Sequence, residues 1–215
     1  MDSKTLASQL RCPSGRDAVE VGERMNEANR LLNNQCIERL GMGADDSVLE
    51  IGPGNGAFVA DIVEAARGVT YTGVDWSAEM VAEAERLNGR LIESGRARFR
   101  QGDAQELPFE AESFDKVLTI HTLYFWEQPA AQLAEIHRVL KAGGVLCLAF
   151  GDRSFMKDLP FVPYGFELYD QERIGGLLRA GGFEVVDACQ HHEQALSNTG
   201  EVVEKLINIM ICRAG

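Results

Sequence analysis

Short runs of apolar and β-branched residues alternate along this chain with longer stretches in which apolar residues recur at helical spacing. The runs predict strands at residues 47–51, 69–75, 97–101, 113–120, 145–150, 183–190 and about 207–212. The stretches between them predict helices at residues 57–67, 77–93, 132–141 and 170–180. This alternation is typical of a doubly wound, mostly parallel α/β sheet with helices on both faces.

The N-terminal part of the chain departs from this alternation. Residues 1–15 show no regular pattern, and we expect them to be irregular. Residues 17–40 follow helical spacing but contain several asparagines, which are poor helix formers, so a helix broken in two is expected there. This helical layer would cover one edge of the sheet, cap a substrate pocket, or do both.

A glycine-rich turn follows the first predicted strand. Gly52, Gly54 and Gly56 occupy every second position after Val48-Leu49-Glu50-Ile51. Such a turn between a strand and a helix lets the backbone approach a ligand closely, and the helix start favours polar or anionic groups. Alone, the turn fits a dinucleotide site, a nucleoside site or tight packing. Glu50 changes this picture, because an acid aimed into a glycine-lined pocket suits a positively charged ligand.

Two further acids follow predicted strands. Asp75 ends the second strand about twenty residues after the turn, which is the distance that brings a carboxylate to a ribose in a βαβ unit. A carboxylate can accept hydrogen bonds from both ribose hydroxyls. Trp76 follows, and it either lies against a base or packs at the sheet edge. Asp103 and Ala104 come after the third strand.

The motif E-I-G-P-G-N-G at residues 50–56 resembles the first motif of the class I S-adenosylmethionine-dependent methyltransferases. The segments L-P-F at 107–109, S-F-D-x-V at 113–117 and E-I-H-R-V-L-K-A-G-G-V-L at 135–146 are also similar to that family, most of all to its small-molecule members of the ubiquinone/menaquinone-biosynthesis type. The resemblance covers residues 45–150 well and implies S-adenosylmethionine as cofactor. It also implies a seventh strand inserted antiparallel.

The resemblance assigns roles to the cofactor-binding candidates. Glu50 would position the amino-acid end of the cofactor, the three glycines would form its cradle, and Asp75 would hold the ribose. Asp103 would bind the adenine amino group, with the backbone N–H of Ala104 beside it. Trp76 and His121 complete the set of residues expected around the cofactor.

The end of the fourth strand is expected to border both cofactor and acceptor, because ligands of open parallel sheets bind beyond the carboxyl ends of the strands. His121 lies at that point, and Tyr124, Phe125 and Trp126 follow as an aromatic wall. His121, supported by Tyr124, is the candidate general base, although a base is needed only if the acceptor must lose a proton. No spacing in the sequence fixes either role.

The resulting hypothesis is a single domain over residues 1–215. It has a helical cap at 1–44, a cofactor-binding core at 45–150, and a substrate-side loop with C-terminal strands at 151–215. The activity would be in-line methyl transfer to a small-molecule acceptor. Two alternatives stay open: a non-catalytic S-adenosylmethionine-binding protein of the same fold, and a nicotinamide-dependent oxidoreductase, which would favour G-x-G-x-x-G spacing, whereas residue 57 is Ala.

Composition and charge disfavour several classes of binding partner. The formal net charge of −12 disfavours a nucleic-acid partner, because phosphate backbones are bound by clustered Lys and Arg. No apolar run is long enough to span a bilayer, and the first ten residues lack the apolar core of a signal peptide. Five scattered cysteines without a C-x-x-C pair favour a cytoplasmic protein without structural metal. His191 and His192 are adjacent on a strand and therefore point to opposite faces, which makes them poor joint ligands.

Overall fold

The computed structural model describes residues 1–196 and 202–215, and within these residues seven strands form one sheet. The strands are β1 (Ser47–Ile51), β2 (Thr70–Asp75), β3 (Ala97–Gln101), β4 (Phe114–Ile120), β5 (Leu140–Gly151), β6 (Phe183–Leu196) and β7 (Val202–Ala214). Their order is β3-β2-β1-β4-β5-β7-β6. The first five are parallel, whereas β7 runs antiparallel to both of its neighbours. The doubly wound sheet with an antiparallel seventh strand is therefore confirmed.

Eight α-helices surround the sheet in the described part of the chain. They are α1 (Ser3–Arg11), α2 (Ala18–Leu40), α3 (Val59–Glu64), α4 (Ala78–Leu87), α5 (Gly89–Glu93), α6 (Pro129–Val139), α7 (Arg153–Met156) and α8 (Gln171–Ala180). None of these helices combines the length and the apolar character needed to cross a bilayer.

The N-terminal expectation was wrong in two respects. Residues 3–11 form a helix, whose first turn is capped by the Asp2 carboxylate accepting from the N–H of Thr5. The helix α2 is a single unbroken element, and two of its asparagine side chains donate hydrogen bonds. Asn33 donates to the carbonyl of Asn29, and Asn26 donates to the side chain of Asn55.

Two predicted helix boundaries were also wrong. The predicted helix at 77–93 is interrupted at Asn88, whose side-chain amide donates to the carbonyls of Gly56 and Ala84. The predicted helix at 132–141 ends at Val139, and β5 begins at Leu140 because Leu140 already pairs with Phe114. Residues 141–144 form a bulge before the regular pairing resumes, so the glycines there shape a strand irregularity and not a helix stop.

The last hairpin is longer than the sequence predicts. The strand β6 continues to Leu196 and β7 begins at Val202, whereas the pairing of β7 with β5 stops at Gly151. The outer part of the hairpin, residues 192–196 with 202–206, therefore projects past the end of β5; we call it the hairpin arm. The sequence pattern did not predict the hairpin arm. Its strands hydrogen-bond mainly to each other and contain polar residues, so they lack the apolar run that marks a buried strand.

The sheet separates two apolar clusters, one on each face. Leu49 and Ile51 of β1 pack into one cluster, and Val48 packs into the other. The same alternation continues on β4 with Val117 and Leu118. Burial on both faces is what allows the central strands to read as apolar runs, and it fixes which strand ends lie together.

The glycine turn joins β1 to α3 with a left-handed backbone. Gly52 has a φ of 74°, and an added Cβ there would overlap Cγ2 of Thr122, which follows β4. The amide of Gly52 donates to the carbonyl of Val74 at 2.8 Å. The turn is therefore pressed against the ends of β2 and β4, and a larger residue at position 52 has no space.

We expect Gly52→Ala to lower the free energy of unfolding by about 2–5 kcal/mol, because left-handed strain of about 1–2 kcal/mol adds to an overpacking cost of about 1–3 kcal/mol. Gly143→Ala is the matched control: its φ is also 74°, and no atom lies within 4 Å of an added Cβ. It should show the strain alone. Thr122→Ser removes the overlapping methyl and should restore part of the loss in Gly52→Ala. Equal losses at positions 52 and 143 in urea unfolding would contradict this account.

Candidate functional site

A cavity of about 340 Å³ lies at the carboxyl ends of β1, β2 and β4, where the sequence predicts the ligand site. Nine of the ten predicted site residues line it: Glu50, Gly52, Gly54, Asp75, Trp76, Asp103, Ala104, His121 and Tyr124. Gly56 does not. An added Cβ at Gly56 would lie 2.9 Å from the side chain of Asn88 and 3.1 Å from the ring of Phe99. The structure thus places Gly56 behind the turn, in close packing.

Glu50 lies on the floor of the cavity and is almost completely buried. Its Oε2 accepts a hydrogen bond of 2.7 Å from the hydroxyl of Tyr71. Burial raises the pKa of Glu50 from 4.5 to about 7; the Tyr71 hydrogen bond opposes this shift and the Asp75 charge reinforces it. No cation of the described residues pairs with this carboxyl, so a positively charged ligand group would be stabilised beside it.

Asp75 lies at the end of β2 and is also buried. Its two carboxylate oxygens accept from the backbone N–H groups of Gly54, at 2.9 Å, and Ser77, at 2.8 Å. Burial raises the pKa of Asp75, although these backbone N–H groups counteract the effect. Each oxygen retains a further lone pair. Asp75 therefore holds the glycine turn in place and can still accept from ligand hydroxyls.

Trp76 and Asp103 form the outer rim of the same side. Trp76 is 46% exposed, and the guanidinium carbon of Arg11 lies 4.9 Å from the centre of its ring. Arg11 also pairs with Glu127 at 3.1 Å. Oδ1 of Asp103 accepts from the N–H of Gln105 at 2.9 Å, and Asp103 lines the cavity. The indole and the carboxylate thus border the entrance next to α1.

His121 and Tyr124 form a hydrogen-bonded pair in the interior of the cavity. His121 has a φ of 59°, a left-handed conformation unusual for a non-glycine residue, which directs the chain sharply at the end of β4. Its Nδ1 lies 2.8 Å from the hydroxyl of Tyr124, which also accepts from the N–H of Gly151. Among the described residues, Nδ1 is the acceptor available to the phenolic proton. The neutral ring therefore carries its own proton on Nε2.

The protonation of this pair is governed by burial. Burial, with a contribution from the charge of Lys205, lowers the pKa of His121 to about 3. Burial also raises the pKa of Tyr124 above its usual value. Both groups are therefore neutral across the physiological range, and His121 presents an N–H donor more readily than a basic nitrogen.

Two further walls of the cavity come from the N-terminal segment, for which a cap over the pocket was one expectation, and from the hairpin arm, which the sequence did not predict. Leu10, Arg11 and Pro13 of the N-terminal segment cover the cavity, and this segment is held by two bonds: the Ser77 hydroxyl donates to the carbonyl of Pro13, and the amide of Gly15 donates to Glu79 at 3.2 Å. The hairpin arm contributes the second wall. Val203, Lys205 and Ile207 line the cavity from alternate positions of β7. That V-x-K-x-I alternation is the signal from which this wall could have been found.

Within the described residues, no three His, Cys, Asp or Glu side chains are grouped as they would be around a metal ion. His191 is half-buried and lies 3.5 Å from the side chain of Gln35, whereas His192 is exposed near Glu204. The two histidines therefore make separate contacts.

The sequence profile of a methyltransferase domain matches residues 49–148, from β1 to β5. The O-methyltransferase resE of Aspergillus sclerotiorum is 30% identical to this chain in an alignment covering 92% of the chain and 79% of that protein. The chain belongs to the class I S-adenosylmethionine-dependent methyltransferases.

Two further comparisons describe where this methyltransferase lies in the family. The 2-methyl-6-phytyl-1,4-hydroquinone methyltransferase 1 of Oryza sativa subsp. japonica is 32% identical over 47% of this chain and 29% of that protein. The resemblance to quinone-type enzymes is thus supported in part. A methyltransferase of known structure from Aquifex aeolicus has a TM-score of 0.71 at 15% identity, covering 94% of this chain and 100% of that one, and shows the same fold.

S-adenosylmethionine is the cofactor of this methyltransferase, and the residues at the site fit it. An added Cβ at Gly54 would meet no atom within 4 Å, so its backbone faces open space in which a ligand can lie. The unpaired carboxyl of Glu50 matches a positively charged group, and the carboxylate of Asp75 matches a diol.

The raised pKa of Glu50 generates a prediction for the methyltransferase without ligand. Between about pH 4.5 and 7 the native state retains a proton that the unfolded chain has lost, so this group makes the free energy of unfolding fall as pH rises. Relative to Glu50→Gln, the wild type should lose up to about 3 kcal/mol across that window. Urea unfolding of both proteins at several pH values measures the difference. Parallel pH profiles would contradict the assignment.

Proposed function

We propose that this methyltransferase transfers a methyl group to an oxygen atom of a small organic acceptor bound in the inner half of the cavity. The observation that carries the proposal is one shared cavity, in which the acids of β1 and β2 lie at one side and an aromatic wall lies at the other. The name of the Aspergillus relative, an O-methyltransferase, supports oxygen as the accepting atom.

We further propose the cofactor contacts. Glu50 positions the amino-acid end, the backbone of Gly52 and Gly54 follows the ligand closely, and Asp75 binds the ribose hydroxyls. Asp103 and the backbone of Ala104 bind the adenine edge. Trp76 borders the base, and Gly56 supports the turn from behind through its left-handed backbone.

When bound, S-adenosylmethionine supplies a methyl group on a positively charged sulfur, which is a strong leaving group for in-line displacement. The chain's own task is then to align the acceptor and to exclude water. His121 and Tyr124 are the proposed acceptor-contacting pair. Because Tyr124 donates to Nδ1, the Nε2–H of His121 is available to orient an acceptor oxygen. The geometry favours this orienting role over removal of a proton.

The wall around this pair determines what can bind. Phe125 and Phe166 pack edge to face with their ring centres 4.7 Å apart, and Phe161 lies 5.2 Å from Phe166. Such a wall is suited to an apolar or aromatic acceptor body. The net charge of −12 supports a small molecule over a nucleic acid as the acceptor.

The test combines binding and transfer. Calorimetric titration with S-adenosylhomocysteine should show one site per chain. Methyl-labelled S-adenosylmethionine, incubated with a panel of phenols, carboxylic acids, amines and thiols, should label an oxygen of a small acceptor. Tight binding without transfer across the panel would favour the non-catalytic alternative, and binding of NADH without S-adenosylhomocysteine would favour the oxidoreductase.

Asp75→Ala should weaken S-adenosylhomocysteine binding about 5- to 150-fold, because loss of a buried acceptor for two hydroxyls costs about 1–3 kcal/mol. Asp115→Ala is the matched control. Asp115 lies at the opposite end of the sheet, where it accepts from the N–H of Ser47 and pairs with Lys141. Its loss should reduce stability without changing affinity. Unchanged calorimetric affinity in the folded Asp75 variant would refute the ribose assignment.

A further inference from the structure

The charges around the cavity are distributed unevenly. On the side of β1 to β3, the acids Glu50, Asp75 and Asp103 line it. On the other side lie His121, Tyr124, the aromatic wall and the hairpin arm, which we call the acceptor half. Among the described residues that line the cavity, the charged side chains besides these acids are Arg11 and Glu127, which pair with each other at 3.1 Å, and Lys205 on the hairpin arm. A positive charge in an otherwise apolar half indicates what kind of acceptor it stabilises.

Lys205 is held in place but retains hydrogen-bonding capacity. Its side chain is 9% exposed, and its Nζ donates to the carbonyl of Ala28 at 2.7 Å. The nearest oxygen of Glu193 is 3.6 Å away, well beyond the 2.7–2.9 Å typical of a charge-assisted hydrogen bond. An ammonium group has three N–H donors. At least one donor therefore remains for a ligand. Burial lowers the pKa of Lys205, and the charge of Glu193 opposes that shift.

His121 offers a second donor in the same half. Its Nδ1 is occupied by the Tyr124 hydroxyl, and no described residue accepts from its Nε2–H. Lys205 and His121 line the same cavity. Two donors, one of them cationic, and no basic group form a site for an oxygen that carries negative charge.

We propose that the acceptor is an organic anion with an apolar body, a carboxylate or an acidic phenolate, whose charged oxygen is bound by Lys205 and His121. Its body lies against Phe125, Phe155 and Phe166, which line the same half. This inference rests on the proposed function and names the substrate class of that site.

The chemistry follows from the charge. The acceptor oxygen uses a lone pair to form the bond to the methyl carbon, the carbon–sulfur bond breaks, and its electron pair remains on sulfur. No proton leaves, because the acceptor is already ionised. A negative oxygen and a positive sulfur both become neutral, and such charge neutralisation is favoured where water is excluded. This explains why the site needs a donor and not a base.

The experiment compares acids with alcohols of the same shape. Octanoate and 3-phenylpropanoate are tested against octan-1-ol and 3-phenylpropan-1-ol, as ligands of the S-adenosylhomocysteine-loaded protein by calorimetry and as acceptors with labelled S-adenosylmethionine. The acids should bind and the alcohols should bind at least tenfold more weakly. Alcohols preferred over acids, or no binding and no methylation of either acid, would overturn the inference.

Variants of Lys205 supply the second part of the experiment. Lys205→Met alone leaves the buried Glu193 carboxylate without its cationic partner. The informative variant therefore combines Lys205→Met with Glu193→Gln. It should weaken binding of the acids roughly 10- to 100-fold while leaving the alcohols and S-adenosylhomocysteine unchanged. Lys205→Arg should retain the preference for acids. Equal loss for acids and alcohols indicates a structural role and would overturn the proposal.

These outcomes distinguish a failure of the anionic-acceptor proposal from a failure of the proposed function. A protein that binds S-adenosylhomocysteine and methylates neutral alcohols overturns the anionic acceptor but leaves the proposed function intact. A folded protein that does not bind S-adenosylhomocysteine refutes the proposed function itself.

Discussion

Two carboxyl groups buried at neighbouring strand ends are the constraint on which the rest of the structure depends. Glu50 and Asp75 are withdrawn from water without a cationic partner among the described residues, and burial is the main cause that raises their pKa values. They persist because Tyr71 and two backbone N–H groups hydrogen-bond to them. The glycine turn provides one of those N–H groups, so the acids and the turn are a single unit. In the proposed complex, the positive charge and the hydroxyl groups of the cofactor complete this unit.

The sequence was sufficient where structure is determined by local pattern. The first strand was predicted at 47–51, the residues at which it is found, because both sheet faces bury its side chains. The pattern was insufficient where pairing over long range decides. Leu140 becomes strand because Phe114 lies beside it, and the hairpin arm forms because two distant segments pair. Neither partner is visible from neighbouring residues.

The residues of the candidate site also fall into those that local pattern predicted and those that depend on long-range pairing. The residues on the ends of β1, β2 and β4 were found because topology brings those ends together. Lys205 was not found, since its place depends on the length of the arm. Gly56 was grouped with the cradle because its spacing matches, and the space beside its Cα is occupied by Asn88 and Phe99. Spacing identifies a turn correctly but does not state which side of each glycine is crowded.

The N-terminal segment affects how reactants enter the cavity and how products leave it. Ala7 is buried in the core with Leu6 and Leu10 beside it. The polar attachments of the segment are an ion pair from Arg11 that leaves Glu127 71% exposed, a cation–π contact with Trp76, and the hydrogen bonds at Pro13 and Gly15. Exposed ion pairs contribute about 0–1 kcal/mol each. The segment is not part of the sheet, so displacing it would leave every strand pairing intact. Because it lies over the cavity, such a displacement would widen the route for reactant entry and product escape while the sheet stays assembled between turnovers.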